Sequence, residues 1–397
     1  MTQPKDFGFN EECAHLKQSA REFFKEKLPT HALHKLVANE SDPFRSPDAK
    51  WDKKLWQEMI QLGWQSIVVP ESVGGVGMPL VAAVALIEEA GRAALPSPLL
   101  TTLQSSCVLN ACNNNSQNNK SANALLEKIA QGAAVTLALL DKNGSGQSRS
   151  VSATKTEQGF VLNGTAYYVQ DAAKADYFIV ACRGDRPVAP TDCALYAIPC
   201  NAPGMKIIAD HIVDLTRDQA HIEFDNVILS VGATGRSPLL TEHGESVLKQ
   251  AEPAILTLLA ADMVGAAEWQ LQTTVEYARS RVQFDRPIGF FQAVKHPLVD
   301  LMLMIDQARA LVYSAACAID HEPESAKLAH SETYAHMAKA SACDMAAFAS
   351  KKSVQLHGGI GFTWECFVHI YSKRQKHSQM LWGDAMFHRS RLADLIL

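Results

Sequence analysis

Two stretches of this chain gather residues suited to holding an anion. The first is Arg281-Val-Gln-Phe-Asp-Arg-Pro-Ile-Gly-Phe-Phe-Gln292, and the second is Gln355-Leu-His-Gly-Gly-Ile-Gly-Phe-Thr-Trp-Glu365. A guanidinium at 281 offers a planar fork of donors that matches two phosphate oxygens. Gln292 both donates and accepts. Gly358, Gly359 and Gly361 carry no side chain, so their backbone N–H groups can approach an anion closely, at or near a helix start where negative charge is favoured. Taken singly, each feature is weak: an arginine at a helix end is commonly a solvated charge, and glycines between helices are commonly a turn.

Other chemistries fall away. Gly144-Ser-Gly146 lacks both the next glycine of a dinucleotide fingerprint and the Gly-Lys-Ser/Thr of a phosphate loop. His357, His369, His377 and His388 have no metal-ligand spacing such as His-Glu-x-x-His and read as polar surface or cofactor-edge residues. Nine cysteines with no Cys-x-x-Cys pair point to reduced core thiols in the cytoplasm rather than a disulfide or zinc framework. A net charge of −5 excludes a generally basic, nucleic-acid-binding surface.

The elements that must carry these residues follow from periodicity. From Glu11 to about Ile129 apolar residues recur at helical spacing, as in Ala14, Leu16, Ala20, Phe23 and Phe24. The glycine-bearing loop Val69–Pro79 interrupts them, and the Asn-rich tract Asn113–Asn119 reads as a surface loop. From about Gly132 the period changes to two. Val135–Leu140, Tyr167–Val169, Tyr177–Ala181, Ala194–Ile198 and Ala220–Phe224 predict strands of a small antiparallel sandwich or barrel. From about Thr241 long Ala- and Leu-rich helices return, over Pro253–Ser280, Gln292–Ile319, Ser325–Gln355 and a final helix after Glu365. Helices this apolar need partners on more than one face, which predicts a bundle and an oligomer interface. At 47% hydrophobic and 20% charged residues the composition is that of a soluble globular protein. No run approaches the ~18–20 uninterrupted apolar residues of a membrane span. The polar start MTQPKDFGFNEECAHLKQ has no apolar signal-peptide core.

With the loop Pro70-Glu-Ser-Val-Gly-Gly-Val-Gly77, the two stretches closely resemble the signatures of the acyl-CoA dehydrogenase family: an N-terminal Pro-Glu…Gly-Gly-x-Gly turn, an Arg-x-x-Phe-Gly…Phe-Gln segment and a Gln-x-x-Gly-Gly-x-Gly segment. The α–β–α order matches over essentially the whole chain. The resemblance implies an α+β fold: an N-terminal helical domain (1–131), a middle antiparallel β domain (132–240) and a C-terminal four-helix bundle (241–397). It implies FAD, held by Arg281, Phe284, Gln292, Gln355, Gly358 and Gly359, with the two C-terminal signatures contributed by different subunits of a homotetramer or an α2β2 heterotetramer. It also implies α,β-desaturation of an acyl-CoA thioester, in which a carboxylate takes the α-proton and an electron-transfer flavoprotein reoxidises the flavin.

The chain departs from that pattern in several places. The usual base is a Glu nine residues after the arginine that follows the Gly-Gly segment; counting from Arg374 reaches Gly383, with Asp384 next. A second subset places its Glu on the first helix of the C-terminal block, where Ile255 stands here, with Glu252 one turn earlier. Asp384 is the first candidate for the base and Glu252 the alternative. A subunit with no base, acting as the half-site partner of a sister chain, is the competing reading. In the middle domain Leu139-Leu-Asp-Lys-Asn-Gly-Ser-Gly146 replaces the family's Thr-Glu-Pro-Gly-x-Gly-Ser, and Tyr168-Val-Gln170 stands for Trp-Ile-Thr beside the flavin. Tyr168 is expected to cover the flavin face and Gln170 to donate to its N5 or O4. Asp285 takes the usual glycine's place, a carboxylate unfavourable near a diphosphate unless it turns away. This set of departures, with Asp214-Leu-Thr-Arg217, is similar to members acting on steroid side chains or other bulky acyl groups.

Overall fold

Residues 6–37, 51–115, 119–144, 146, 149–157, 159–184, 193–230, 238–321 and 324–397 are described by a computed structural model. The first helical stripes form α1 (Glu11–Lys27), α2 (Thr30–Val37), α3 (Lys53–Gln61), α4 (Leu80–Arg92), α5 (Leu99–Asn115) and α6 (Lys120–Ala130). Helix α5 runs through Asn113–Asn115, so the Asn-rich loop is shorter than expected; residues 116–118 of it lie outside the described residues. The 69–79 loop needs its glycines: a Cβ on Gly75 would stand 2.1 Å from the Val69 carbonyl oxygen, and Gly77 holds φ +71°. Helix α4 is buried over almost its whole length. Its N-terminal N–H groups at Leu80 and Val81 are capped from across the core by the Asp320 carboxylate, at 2.9 and 3.0 Å.

The strands are β1 (Val135–Ala138), β2 (Val151–Thr156), β3 (Gly159–Gln170), β4 (Tyr177–Gly184), β5 (Ala194–Pro199), β6 (Met205–Ala209), β7 (Gln219–Ser230) and β8 (Leu239–Thr241). They form one sheet in the order β6-β7-β3-β2-β4-β5-β8, with β1 added beside β4. The sheet is mixed rather than purely antiparallel, because β1 and β2 both pair with β4 in parallel. Sequence periodicity missed β2, β6 and β8: short or polar strands such as Val-Ser-Ala-Thr-Lys-Thr give little alternation. The β3–β7 ladder slips between Ala166 and Val169, a bulge that puts Tyr168 at φ +58° and re-aims its side chain.

The C-terminal block holds α7 (Gly244–Ser280), α8 (Gln292–His321), α9 (Glu324–His357), α10 (Val368–Met380) and α11 (Ala385–Ile396), with the two-residue strands β9 (Val282–Gln283) and β10 (Arg286–Pro287) between α7 and α8. The single final helix expected after Glu365 is two, broken where Trp382 and Gly383 take φ +60° and +99°. Pro253 lies inside α7 rather than at its start. The turn before it is retained because Val247 and Ala251 are buried in a cluster with Val135, Leu195 and Leu240. Helices α4 and α7 cross in direct backbone contact. A Cβ on Gly265 would lie 1.8 Å from the Glu88 oxygen, and one on Gly91 2.1 Å from the Asp262 oxygen. Gly265→Ala is therefore expected to cost about 3 kcal/mol, at the upper end of overpacking losses. Gly359→Ala, whose added methyl meets nothing within 4 Å, should leave stability unchanged. Urea unfolding of the two variants decides the point; equal midpoints would contradict this packing.

Candidate active site

Arg281 follows the last turn of α7 and opens a hairpin. Gln283 pairs with Arg286 and Val282 with Pro287, and the turn residues Phe284 and Asp285 sit at φ +55° and +61°. Two successive left-handed residues make a type I′ turn, which an aspartate tolerates better than most residues. The local reason for Asp285 is thus the turn itself, and its side chain is exposed. Phe284 projects from the tip, 85% exposed. Arg281 is exposed and, among the described residues, forms no ion pair.

Tyr277 stacks on His357 with ring centroids 4.4 Å apart, tying the last turn of α7 to the last turn of α9. The Arg281 hairpin and the Gly358–Phe362 turn therefore leave the bundle from the same end of one chain. Gly358 holds φ +65°, and a Cβ on Gly358 or Gly359 would meet no atom within 4 Å. Gln355 in the last turn of α9 and Gln292 at the first residue of α8 are exposed. Gly358 and Gly359 follow the C-terminus of α9 and open a short 3-10 turn, not the helix start expected, so the exposed Arg281 guanidinium is the group at this end suited to phosphate oxygens.

Tyr168 and Gln170 lie at the end of β3. The Tyr168 hydroxyl donates to the Lys142 carbonyl at 3.0 Å, so the ring rests on the 142–144 turn. The Gln170 amide donates to Tyr168 O at 3.1 Å and to Gln219 Oε1 at 2.7 Å. Both its N–H donors are engaged within the protein, and among the described residues its buried Oε1 has no partner. The fit to FAD therefore rests on the exposed Arg281 guanidinium and the open glycine backbone at 358 and 359.

The two base candidates differ sharply. Asp384 is exposed and caps α11, accepting from Phe387 N at 2.8 Å. At Gly383, where the resemblance would place a Glu, a Cβ would stand 2.4 Å from the Phe387 ring. Glu252 on α7 is half-buried and, among the described residues, its carboxylate has no hydrogen bond or ion pair. Burial raises its pKa; Glu332 and Glu245 push the same way, against Arg391. A desolvated, unpaired carboxylate is poised to take a proton.

A buried ionic seam joins the blocks, and sequence spacing gave no sign of it. Asp262 on α7 is held by Arg374 of α10 through both carboxylate oxygens, and by Arg217 at 2.6 Å. Asp214, which the sequence placed only before a strand, accepts from Arg217 at 3.3 Å and contacts His377 at 3.2 Å. Beside the seam lies a narrow cleft lined by Ile87, Leu95, Leu99, Asp171, Asp262 and Arg374. His357, His369 and His388, read as surface or cofactor-edge residues, are 4%, 7% and 0% exposed and belong to the interior.

A helical block, a β sheet and a helical bundle, with an exposed guanidinium and open glycines at one end of the bundle, make up the architecture that the comparisons match. Residues 10–133 match the acyl-CoA dehydrogenase N-terminal domain and residues 257–397 its C-terminal domain. The chain is 34% identical to the acyl-CoA dehydrogenase IpdE2 of Mycobacterium tuberculosis, over 84% of each protein. A steroid ACAD, Tcur3481-Tcur3483, superposes with TM-score 0.80 at 27% identity, covering 97% of this chain and 98% of its own. Butyryl-CoA dehydrogenase from Megasphaera elsdenii shares the fold with TM-score 0.83 at 22% identity, covering 98% and 99%. This chain belongs to the acyl-CoA dehydrogenase family.

Proposed function

We propose that the protein is an FAD-dependent acyl-CoA dehydrogenase that desaturates an acyl-CoA thioester between Cα and Cβ, with Glu252 as the base. The observation that carries this is the state of Glu252: a desolvated carboxylate left without a partner, while Asp384 is occupied as a helix cap. Arg281, Gly358 and Gly359 of one subunit would hold the diphosphate, with Phe284, Gln292 and Gln355 around it. Glu252 precedes Arg281 along α7 by about 43 Å at ~1.5 Å per residue, so the base that meets this flavin comes from a neighbouring subunit. Tyr168 and Gln170 stand at the ring end. Bound FAD supplies two-electron acceptance from Cβ. Glu252 takes the α-proton, and its raised affinity for that proton brings the acid–base match nearer to neutral pH. An electron-transfer flavoprotein collects the electrons. The acyl group is bulky, in line with the steroid named for the relative at 27% identity. Nine cysteines, all free, suit a reducing cytoplasm. Helix gives way to strand after Ala130 and strand to helix after Thr241, which supports domains at 1–131, 132–240 and 241–397.

One observation favours a second reading. Gly383, at φ +99°, stands at the family's usual base position and carries no carboxylate, as in a half-site subunit whose sister chain supplies it. Anaerobic mixing of the purified protein with bulky acyl-CoAs separates the two. Bleaching of the flavin by the chain alone, retained in Asp384→Asn, is the expected result. Bleaching only after a sister chain is added, or its loss in Asp384→Asn, contradicts it.

A further inference from the structure

Lys339 on α9 is among the largest fully buried side chains, at 0% exposed. Its Nζ donates to the Gly383 carbonyl at 2.8 Å, to Cys343 Sγ at 3.1 Å and to the Gln379 carbonyl at 3.4 Å. Among the described residues no carboxylate bonds to it; Asp384, whose charge reaches it, is exposed and caps α11. A lysine and a cysteine four residues apart lie one above the other on a helix face. Cys343 is itself 2% exposed, and its carbonyl accepts from Gln379 Nε2 at 2.5 Å. An amine and a thiol are thus held against each other with no competing acid.

A buried ammonium without an anion is costly. Burial lowers the proton affinity of Lys339, against the pull of Cys343 and Asp384, and raises that of the Cys343 thiol, against Lys339. Both displacements favour the uncharged pair, and an uncharged amine is a base and a nucleophile. The pair lies one layer below the surface. Gln379 and Gly383, which cover it, are half-buried, and their neighbours Met380 and Asp384 are exposed. That leaves a short path for a small oxidant.

We propose that Lys339 and Cys343 form a modification site for hydrogen peroxide, which joins Nζ to Sγ in a reversible sulfenamide. Lys339 takes the Cys343 proton and the sulfur attacks one peroxide oxygen. The O–O bond breaks, the departing hydroxide recovers the proton from Lys339 as water, and Cys343 is left as a sulfenic acid. The free amine then attacks sulfur: the S–N bond forms, the S–O bond breaks, and the hydroxyl leaves with an amine proton as a second water. Sulfur gives up two electrons and the peroxide takes them. One thiol attacking sulfur frees the amine, and a second restores Cys343 and departs as a disulfide. The linked nitrogen keeps a single N–H, so it cannot serve both the Gly383 and the Gln379 carbonyls. Oxidation therefore loosens the segment between α10 and α11, where Trp382 and Gly383 hold positive φ. None of this depends on the flavin reading.

The full chain, treated with a small excess of hydrogen peroxide, alkylated and digested with trypsin, tests the site by mass spectrometry. Trypsin does not cut after a lysine whose amine is blocked. The expected product is a peptide that runs uncut through Lys339, carries Cys343 unalkylated and is lighter by two hydrogens than the same unmodified stretch. Dithiothreitol should restore both the cut and the alkylation. In Lys339→Met the sulfenic acid has no amine to meet, and dimedone should capture it at Cys343. Cutting at Lys339 that is as complete after peroxide as before overturns the proposal, as does a wild-type Cys343 found only as thiol, sulfenic or sulfinic acid. The wild-type digest decides the question alone if Lys339→Met fails to fold.

Discussion

Replacing Glu252 with Gln is expected to slow flavin bleaching by acyl-CoA roughly 100- to 10,000-fold while FAD stays bound, the loss typical of removing a general base. Gln keeps the size and removes the proton acceptor. Because the Glu252 carboxylate has no ion pair among the described residues, the change breaks no buried salt bridge and should leave the fold intact. Stopped-flow reduction under anaerobic conditions reads the effect. An unchanged rate in the variant removes Glu252 and returns the question to a sister chain.

Acid should weaken the fold through two buried histidines. His336 and His388, 1% and 0% exposed, face each other across the α9–α11 seam with Nδ1 atoms 2.8 Å apart. Burial lowers both from 6.5, His336 to about 4 and His388 to about 3, with Arg391 adding at the first and Lys339 and His336 at the second. Lowered folded-state values mean that the unfolded chain binds more protons, so stability is complete above the unfolded value and is lost as pH falls below it. Going from about pH 7 to about pH 5 should cost about 2 kcal/mol per histidine, or about 4 kcal/mol for the pair. His369, lowered to about 4 by burial, acts in the same direction. Urea midpoints at the two pH values measure the loss. Replacing both histidines with glutamine should flatten it, and a wild-type midpoint that does not move with pH would contradict this account.

The parts of the site that could be read from the chain are those whose partners are close in sequence. Arg281 and the glycines from 358 to 361 declare themselves by local spacing, and the helices that carry them by their apolar period. Asp384 illustrates the reverse. A Gly-Asp pair just before an apolar helix is also a capping signal, and the capping role is the one the structure shows. Glu252 could not be ranked above it without knowing what surrounds each carboxylate. The seam of Asp262, Arg374 and Arg217 was invisible for a related reason: 112 positions separate Asp262 from Arg374, and no periodicity links an aspartate in an apolar helix to an arginine so far away. Gln170 was read only as a donor toward a flavin; its hydrogen bonds to Tyr168 O and Gln219 Oε1 lie outside what sequence spacing shows.

The most direct measurement is the FAD content of the purified protein, compared with Arg281→Met. Arg281 is exposed and unpaired, so that substitution removes a phosphate ligand and little else. The wild type should be yellow with one FAD per chain, and the variant folded but largely colourless. A wild type that stays colourless with excess FAD, or a variant that holds FAD as tightly as the wild type, would contradict the central claim.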